Sequence, residues 1–328
     1  EKGYVGFESV GSPATTKNGL TVGASRNKRT TGGYASASYG KIWPDKFPDP
    51  PTSTELISGD PDSIAAFSSR GRCDDRRMKP DLVAPGTDIL SARSSLAPLN
   101  QFHGGYANYN DAYAFLNGTS MAAPIVSGAA ALVREYYKKK RGCVTPSAAL
   151  IKATLLNGTR KLTGQSAIHG GDMIPNPNQG YGILDLGFSI PNEQNKFQLE
   201  FRDSLQNPKV LLTTTGQAYT LKLQTKQVTW IRACLSYTDF PVRSIQNDLD
   251  LLMDYEPTRQ KWSGNLGINA QEPYRNRDED STNNGEIIRI ENAQPGLYTL
   301  KVIAHNLPKG KQGFALVVAT GDMGATFE

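Results

Sequence analysis

Leu116-Asn117-Gly118-Thr119-Ser120-Met121-Ala122-Ala123-Pro124 sets a serine where a glycine-bearing turn runs into an alanine-rich helix. A nucleophilic hydroxyl needs such a mount: it must be exposed, lie beside a backbone amide, and sit in a field that favours an oxyanion. Gly118 permits a sharp turn, and the N–H groups and positive end of the following helix then face the developing negative charge. Read by itself, the same string also fits a plain helix cap made by Thr119 or Ser120. The helix is expected to run from Ser120 to about Lys140, slender and apolar nearly all round through Ala122, Ala123, Gly128, Ala129, Ala130 and Ala131. Pro124 is expected in its first turn, where N–H groups have no intrahelical partner. A second helix is expected over Pro146 to Leu156, capped by Thr145, with Pro146 at its first position and Asn157-Gly158 ending it.

Working outward, Gly-Thr-Ser-Met-Ala-Ala-Pro resembles the nucleophile motif of the subtilisin-like serine proteases. Two further segments match that family in the order it requires. Lys79-Pro80-Asp81-Leu82-Val83-Ala84-Pro85-Gly86 resembles the strand and turn before the nucleophile, and Gly11-Ser12-Pro13-Ala14 through Thr21-Val22-Gly23-Ala24 resembles an earlier core strand. Ile89 to Pro98 and Asn247-Asp248-Leu249-Asp250-Leu251 are similar to the alkaline subtilases that carry a C-terminal jelly-roll domain. The resemblance implies the C-terminal part of an α/β subtilisin-like parallel-sheet domain over residues 1–192, followed by an all-β jelly-roll sandwich, similar to a P-domain, over residues 193–328.

By the same resemblance Ser120 is the catalytic nucleophile and its N–H an oxyanion donor. Gly118 and Thr119 border the bound substrate, a protein or peptide, and Gly3 to Ser9 would form a wall of its pocket. The family's aspartate and histidine contexts, Asp-Thr/Ser-Gly and His-Gly-Thr-His, do not occur in this sequence, and its oxyanion asparagine would precede Glu1. His103, His169 and His305 stand in none of these contexts and read as ordinary loop or strand-end side chains. A serine hydroxyl without a general base is a poor nucleophile, so the chain alone is expected to be inactive. Its expected partner is the N-terminal part of the same subtilase, carrying Asp and His. The rival expectation is a non-catalytic structural or adhesive module derived from such a protease.

Composition narrows the remaining classes. The chain has 328 residues, a net charge of +5 and 38% hydrophobic content, enough for two compact domains or a large one with an appendage. No apolar run approaches the ~20 residues of a membrane helix. The basic run Lys138-Lys139-Lys140-Arg141 closes a helix, where it complements the dipole, so a nucleic-acid surface is not expected. Cys73, Cys143 and Cys234 have no metal-ligand spacing, and their number leaves open one pair plus a free thiol, or a bridge to another segment. Sequons at Asn117 and Asn157 are compatible with a secreted or extracytoplasmic protein, although Asn117 lies in the nucleophile turn, out of a glycan's reach.

Leu20 to Ala24 and Leu82 to Ala84 are short apolar runs suited to a parallel sheet buried on both faces. Gly32 to Asp62 reads as a long surface loop. Beyond Lys196 the texture becomes strand-like, over Tyr219–Leu223, Val228–Tyr237, Leu249–Tyr255, Glu286–Glu291, Leu297–Ala304 and Phe314–Thr320, with no helix-period segment between them. That pattern describes an antiparallel sandwich. Its acidic loops, Asp248 with Asp250 and Asp278 with Asp280, supply the clustered oxygens that calcium takes, and they read equally as solvated turns.

Overall fold

A computed structural model describes residues 5–98, 112–169, 171, 173–269 and 280–328, with backbone alone at 267–269. Two compact units are present. The first comprises the described residues within Glu1–Thr16, Leu20–Gly128 and Arg160–Leu184, and the second those within Lys17–Gly19, Ala129–Thr159 and Asp185–Glu328. The helices are α1 (Tyr39–Ile42), α2 (Thr119–Lys140), α3 (Ala148–Asn157), α4 (Gln165–Ile168) and α5 (Leu186–Ser189).

In the first unit, β1 (Val22–Ser25) and β2 (Leu82–Pro85) pair in parallel, Val22 opposite Leu82. Their seat is electrostatic. Lys79 and Asp81, both nearly fully buried, form an ion pair, and Asp81 Oδ2 also accepts the Thr21 N–H at 2.7 Å just before β1 begins. A buried charge needs that kind of company, since an unpaired one would cost several kcal/mol. The chain at Tyr181–Leu184 runs along the other side of β2, with the Leu184 N–H donating to Val83 and the Val83 N–H to Gly182. β3 (Ile89–Ala92) and β4 (Tyr113–Leu116) form an antiparallel pair leading into α2.

The stretch expected as a surface loop, Gly32 to Asp62, instead carries α1 and a core of its own. Tyr39 and Ile57 are fully buried, and Trp43, Phe47 and Phe67 pack around Tyr39 with ring centroids 5.2 to 6.4 Å apart. The Gly, Ser and Pro content of the stretch hides aromatics that drive local burial.

α2 also differs from the expectation of a helix buried nearly all round. The buried residues form one stripe, Ala122, Val126, Ala129, Val133 and Tyr137, while Ile125 and Leu132 are 37% and 48% exposed. The helix starts at Thr119, so Pro124 falls in its second turn, where it removes the hydrogen bond that a residue there would donate to the Ser120 carbonyl. In α3 the cap is Ser147, whose hydroxyl accepts the Leu150 N–H at 3.0 Å, and not Thr145. Thr145 instead accepts from the Gln206 amide. Gly158 ends α3 as expected, because a Cβ there would collide with Ser189.

The second unit holds two antiparallel sheets built from β5 (Gln198–Asp203), β6 (Ala218–Thr225), β7 (Thr229–Ser236), β8 (Asp248–Tyr255), β9 (Gln260–Ser263), β10 (Gly267–Asn269), β11 (Gly285–Ala293), β12 (Gly296–Asn306), β13 (Ala315–Thr320) and β14 (Thr326–Phe327). One sheet has the order β10-β9-β8-β12-β6-β14 and the other β11-β7-β13-β5. Alternate residues of both, such as Leu249, Leu251, Leu300 and Val302 from the first and Ile231, Ala233, Leu316 and Val318 from the second, share a single apolar cluster. The period of two puts every other side chain into that common layer, which makes the pair a sandwich. α3 lies on the second sheet, where Arg289 of β11 donates to the Leu156 carbonyl and to the Thr159 hydroxyl.

Cys73, Cys143 and Cys234 are all buried and unbridged. Burial pushes each thiol up, that of Cys234 to about 12, so little thiolate is present at neutral pH. Titration with a thiol-specific dye at pH 8 is expected to show no fast-reacting group in the folded chain and 3 equivalents in denaturant. Prompt labelling of the folded chain, or a single equivalent after unfolding, would contradict this arrangement.

Candidate active site

Ser120 stands exposed in the first turn of α2, behind Gly118 at φ +155°, a conformation that side-chain-bearing residues rarely adopt. The turn is held from below. The Gly118 N–H donates to the Gly86 carbonyl at 2.8 Å, and the Gly86 N–H donates to Ser25 at 3.0 Å, so the ends of β1 and β2 are tied to the serine mount. Gly86 must lack a side chain, because a Cβ there would lie 2.5 Å from Ala24 Cβ and 2.9 Å from the Gly118 oxygen.

Asn117 and Asp88 complete the support. The Asp88 N–H donates to Asn117 Oδ1 at 2.7 Å, and Asn117 Nδ2 donates back to Asp88 Oδ1 at 3.2 Å. Asp88 is fully buried at φ +46°, and its carboxylate also accepts the Tyr34 N–H at 2.8 Å and the Ser58 hydroxyl at 2.7 Å. The Thr87 hydroxyl lies 2.7 Å from that of Ser58 and accepts the Asn27 N–H. One carboxylate thus ties the loops at Tyr34 and Ser58 to the residue preceding Gly118. The sequence reading missed Asp88: an aspartate after Pro-Gly-Thr looks like any turn residue, and only its full burial marks it.

The chemistry available at Ser120 follows from this geometry. The first-turn N–H groups of a helix have no intrahelical acceptor, and the positive end of a helix of 22 residues favours an anion there. Pro124 also deprives the Ser120 carbonyl of its helical donor. Gly118 and Thr119, expected at the substrate, lie half-buried at this same turn.

A recess elsewhere in the first unit is lined by Val5, Glu55, Ile64, Arg70, Ser166, His169 and Asn178, among others, and Ser120 is not part of its wall. His169 stacks on Phe7 with centroids 5.9 Å apart. Burial lowers the Arg70 guanidinium to about 10, and burial also raises the Glu55 carboxyl above its usual range. His103 lies outside the described residues.

Of the residues expected to hold calcium, Asp248 and Asp250 come together on β8, joined by His305 of β12: donor atoms of the three lie within 4.8 Å of one another. Asp280 is engaged in a turn, accepting from Thr282, Asn283 and Asn265. Asp278 lies outside the described residues. The sequon asparagines are both occupied by structure: Asn117 is bonded to Asp88, and Asn157 is 2% exposed.

Residues 3–182 match the family model described as the subtilase family, peptidase S8. Among curated proteins, the chain is 29% identical over 280 residues to the serine protease/ABC transporter B family protein tagA of Dictyostelium discoideum, covering 77% of this chain and 15% of that protein. It is 34% identical over 125 residues to the serine protease AprX of Bacillus subtilis, covering 36% of this chain and 27% of AprX. It is 33% identical over 196 residues to pyrolysin of Pyrococcus furiosus, covering 59% of this chain and 12% of pyrolysin. The chain therefore spans roughly a quarter or less of the length of these relatives. It belongs to the subtilase family.

Removing the Asp88 carboxylate takes an acceptor from the Tyr34 N–H and the Asn117 amide and leaves the Ser58 hydroxyl with Thr87 alone, at about 1–3 kcal/mol for each group left unsatisfied. Asp88→Ala is expected to destabilise the chain by about 3 kcal/mol or more in urea unfolding. A loss below about 1 kcal/mol, the value of a single ordinary hydrogen bond, would contradict the proposed hub.

Proposed function

We propose that this chain carries the nucleophile of a subtilisin-like serine endopeptidase whose general base, orienting aspartate and oxyanion asparagine reside in polypeptide outside residues 1–328. The observation that carries this reading is the mount itself: an exposed serine on the first turn of α2, held by Gly118, Gly86 and the Asn117–Asp88 pair. In the reaction, Ser120 Oγ attacks a peptide carbonyl and gives its proton to the incoming base. The carbonyl oxygen becomes an anion that the Ser120 N–H and the helix end stabilise. Collapse expels the amine and leaves an acyl-serine, which water then hydrolyses. Gly118 and Thr119 border the substrate backbone.

Further support is the uncovered flank of α2, where Ile125 and Leu132 expose an apolar surface that a completing segment would bury. The two-sheet unit is read as a jelly-roll module that accompanies the protease, and an extracytoplasmic location fits such an enzyme. Neither sequon supports that location, given the burial of Asn157 and the engagement of Asn117.

The test is proteolysis of casein by the longer protein containing this chain. Ser120→Ala is expected to lower turnover by about 10⁶-fold, while Ser127→Ala, an exposed hydroxyl that bonds only back to Ala123, leaves it unchanged. The isolated chain is expected to show no activity. Equal proteolysis by the longer protein with and without Ser120 would sink the reading and favour a non-catalytic structural or adhesive module.

A further inference from the structure

The six-stranded sheet sends Leu249, Leu251, Val302 and Ala304 into the shared core. Alternation places Asp248 and Asp250 on the opposite side of β8, and His305 is the extra residue of the bulge that β12 makes between Ala304 and Asn306. A solvated face would carry these groups in water, yet Asp248 is 8% and Asp250 2% exposed. His305 Nδ1 lies 3.0 Å from Asp250 Oδ2, and one donor atom of each residue falls within 4.8 Å of the others. A further carboxylate stands close by on β11. Glu286 is 1% exposed, its Oε2 accepts the N–H of Leu251, the residue after Asp250, at 2.7 Å, and its Oε1 has no hydrogen-bond partner among the described residues. Carboxylates buried so close together repel one another, and their mutual charge is compensated most directly by a cation.

We propose that Asp248, Asp250 and His305 bind a divalent cation of the zinc class, with the buried Glu286 carboxyl beside them. The donor set decides the class. Calcium takes six to eight oxygen ligands, whereas an imidazole with two carboxylates is a set that zinc accepts with three protein ligands and an open fourth position for water. The His305 side chain is 51% exposed, so the open position faces solvent. This assignment shifts the cation expected from the acidic residues alone: the histidine, 55 residues from its aspartate, brings in a nitrogen donor.

Chelator-treated chain at pH 7.5 is titrated with zinc chloride by calorimetry, and the bound ions are counted by native mass spectrometry. One zinc ion is expected, with His305→Ala and Asp250→Asn each weakening it at least about 10-fold, the loss that removing even an outer-shell partner of a ligand brings. His169→Ala serves as the control and leaves affinity unchanged. Because His305 is half-exposed, His305→Ala is expected to keep the circular dichroism spectrum, and the loss of zinc then reports on ligation and not on folding. No zinc uptake, uptake that His305→Ala leaves intact, or saturation by calcium with equal affinity in both proteins would each overturn the assignment.

Discussion

The 2.8 Å hydrogen bond from the Gly118 N–H to the Gly86 carbonyl is the contact on which the serine mount depends. It ties a turn with a left-handed glycine to the end of a parallel strand, and it forms only because Gly86 has no side chain to hold the two backbones apart. β1 and β2 fix Gly86, the Lys79–Asp81 ion pair fixes the start of both strands, and Asp88 fixes Asn117. Each link is a direct contact between residues, and each is wholly or partly buried. Ser120 is consequently placed by backbone and buried carboxylate, while the residue itself stands exposed.

The two-sheet unit follows a different logic. Its strands send alternate side chains into the shared apolar cluster, while the other side is apolar and buried on β13, at Ala315, Val317 and Ala319, and carries Asp248 and Asp250 on β8. Where acidic positions are buried, as at Asp248, Asp250 and Glu286, burial of charge has to be compensated locally. A buried ion pair does this at Lys17 and Asp239, 2.7 Å apart, with the Ser244 carbonyl as a second acceptor for the ammonium. At Asp250 the neighbour is an imidazole, a group that can serve either as a cation or as a ligand.

The turn and helix at Ser120 were legible because the segment Gly118–Pro124 is contiguous and its glycine and alanines have a direct steric meaning. The parallel strands were legible for a similar reason, as apolar runs bounded by Gly and Pro. What escaped reading was mostly long-range. Asp88 reaches Asn117, Tyr34 and Ser58 across 29 to 54 positions, and nothing local distinguishes it from a turn residue. The aromatic cluster around Tyr39 was masked by the glycines and prolines that surround it in sequence, and the α3 cap at Ser147 was misread as Thr145 because Pro146 suits a first helical position as well as a position just outside the helix.

The central claim is that Ser120 becomes a nucleophile once a base is brought to it. The direct measurement is reaction of the longer protein and of residues 1–328 alone with a biotinylated fluorophosphonate, followed by mapping of the adduct. A single adduct on Ser120 in the longer protein, and none on the isolated chain, is the result predicted. Absence of an adduct in the longer protein while a known subtilase reacts alongside, or an adduct on a different serine, would contradict it.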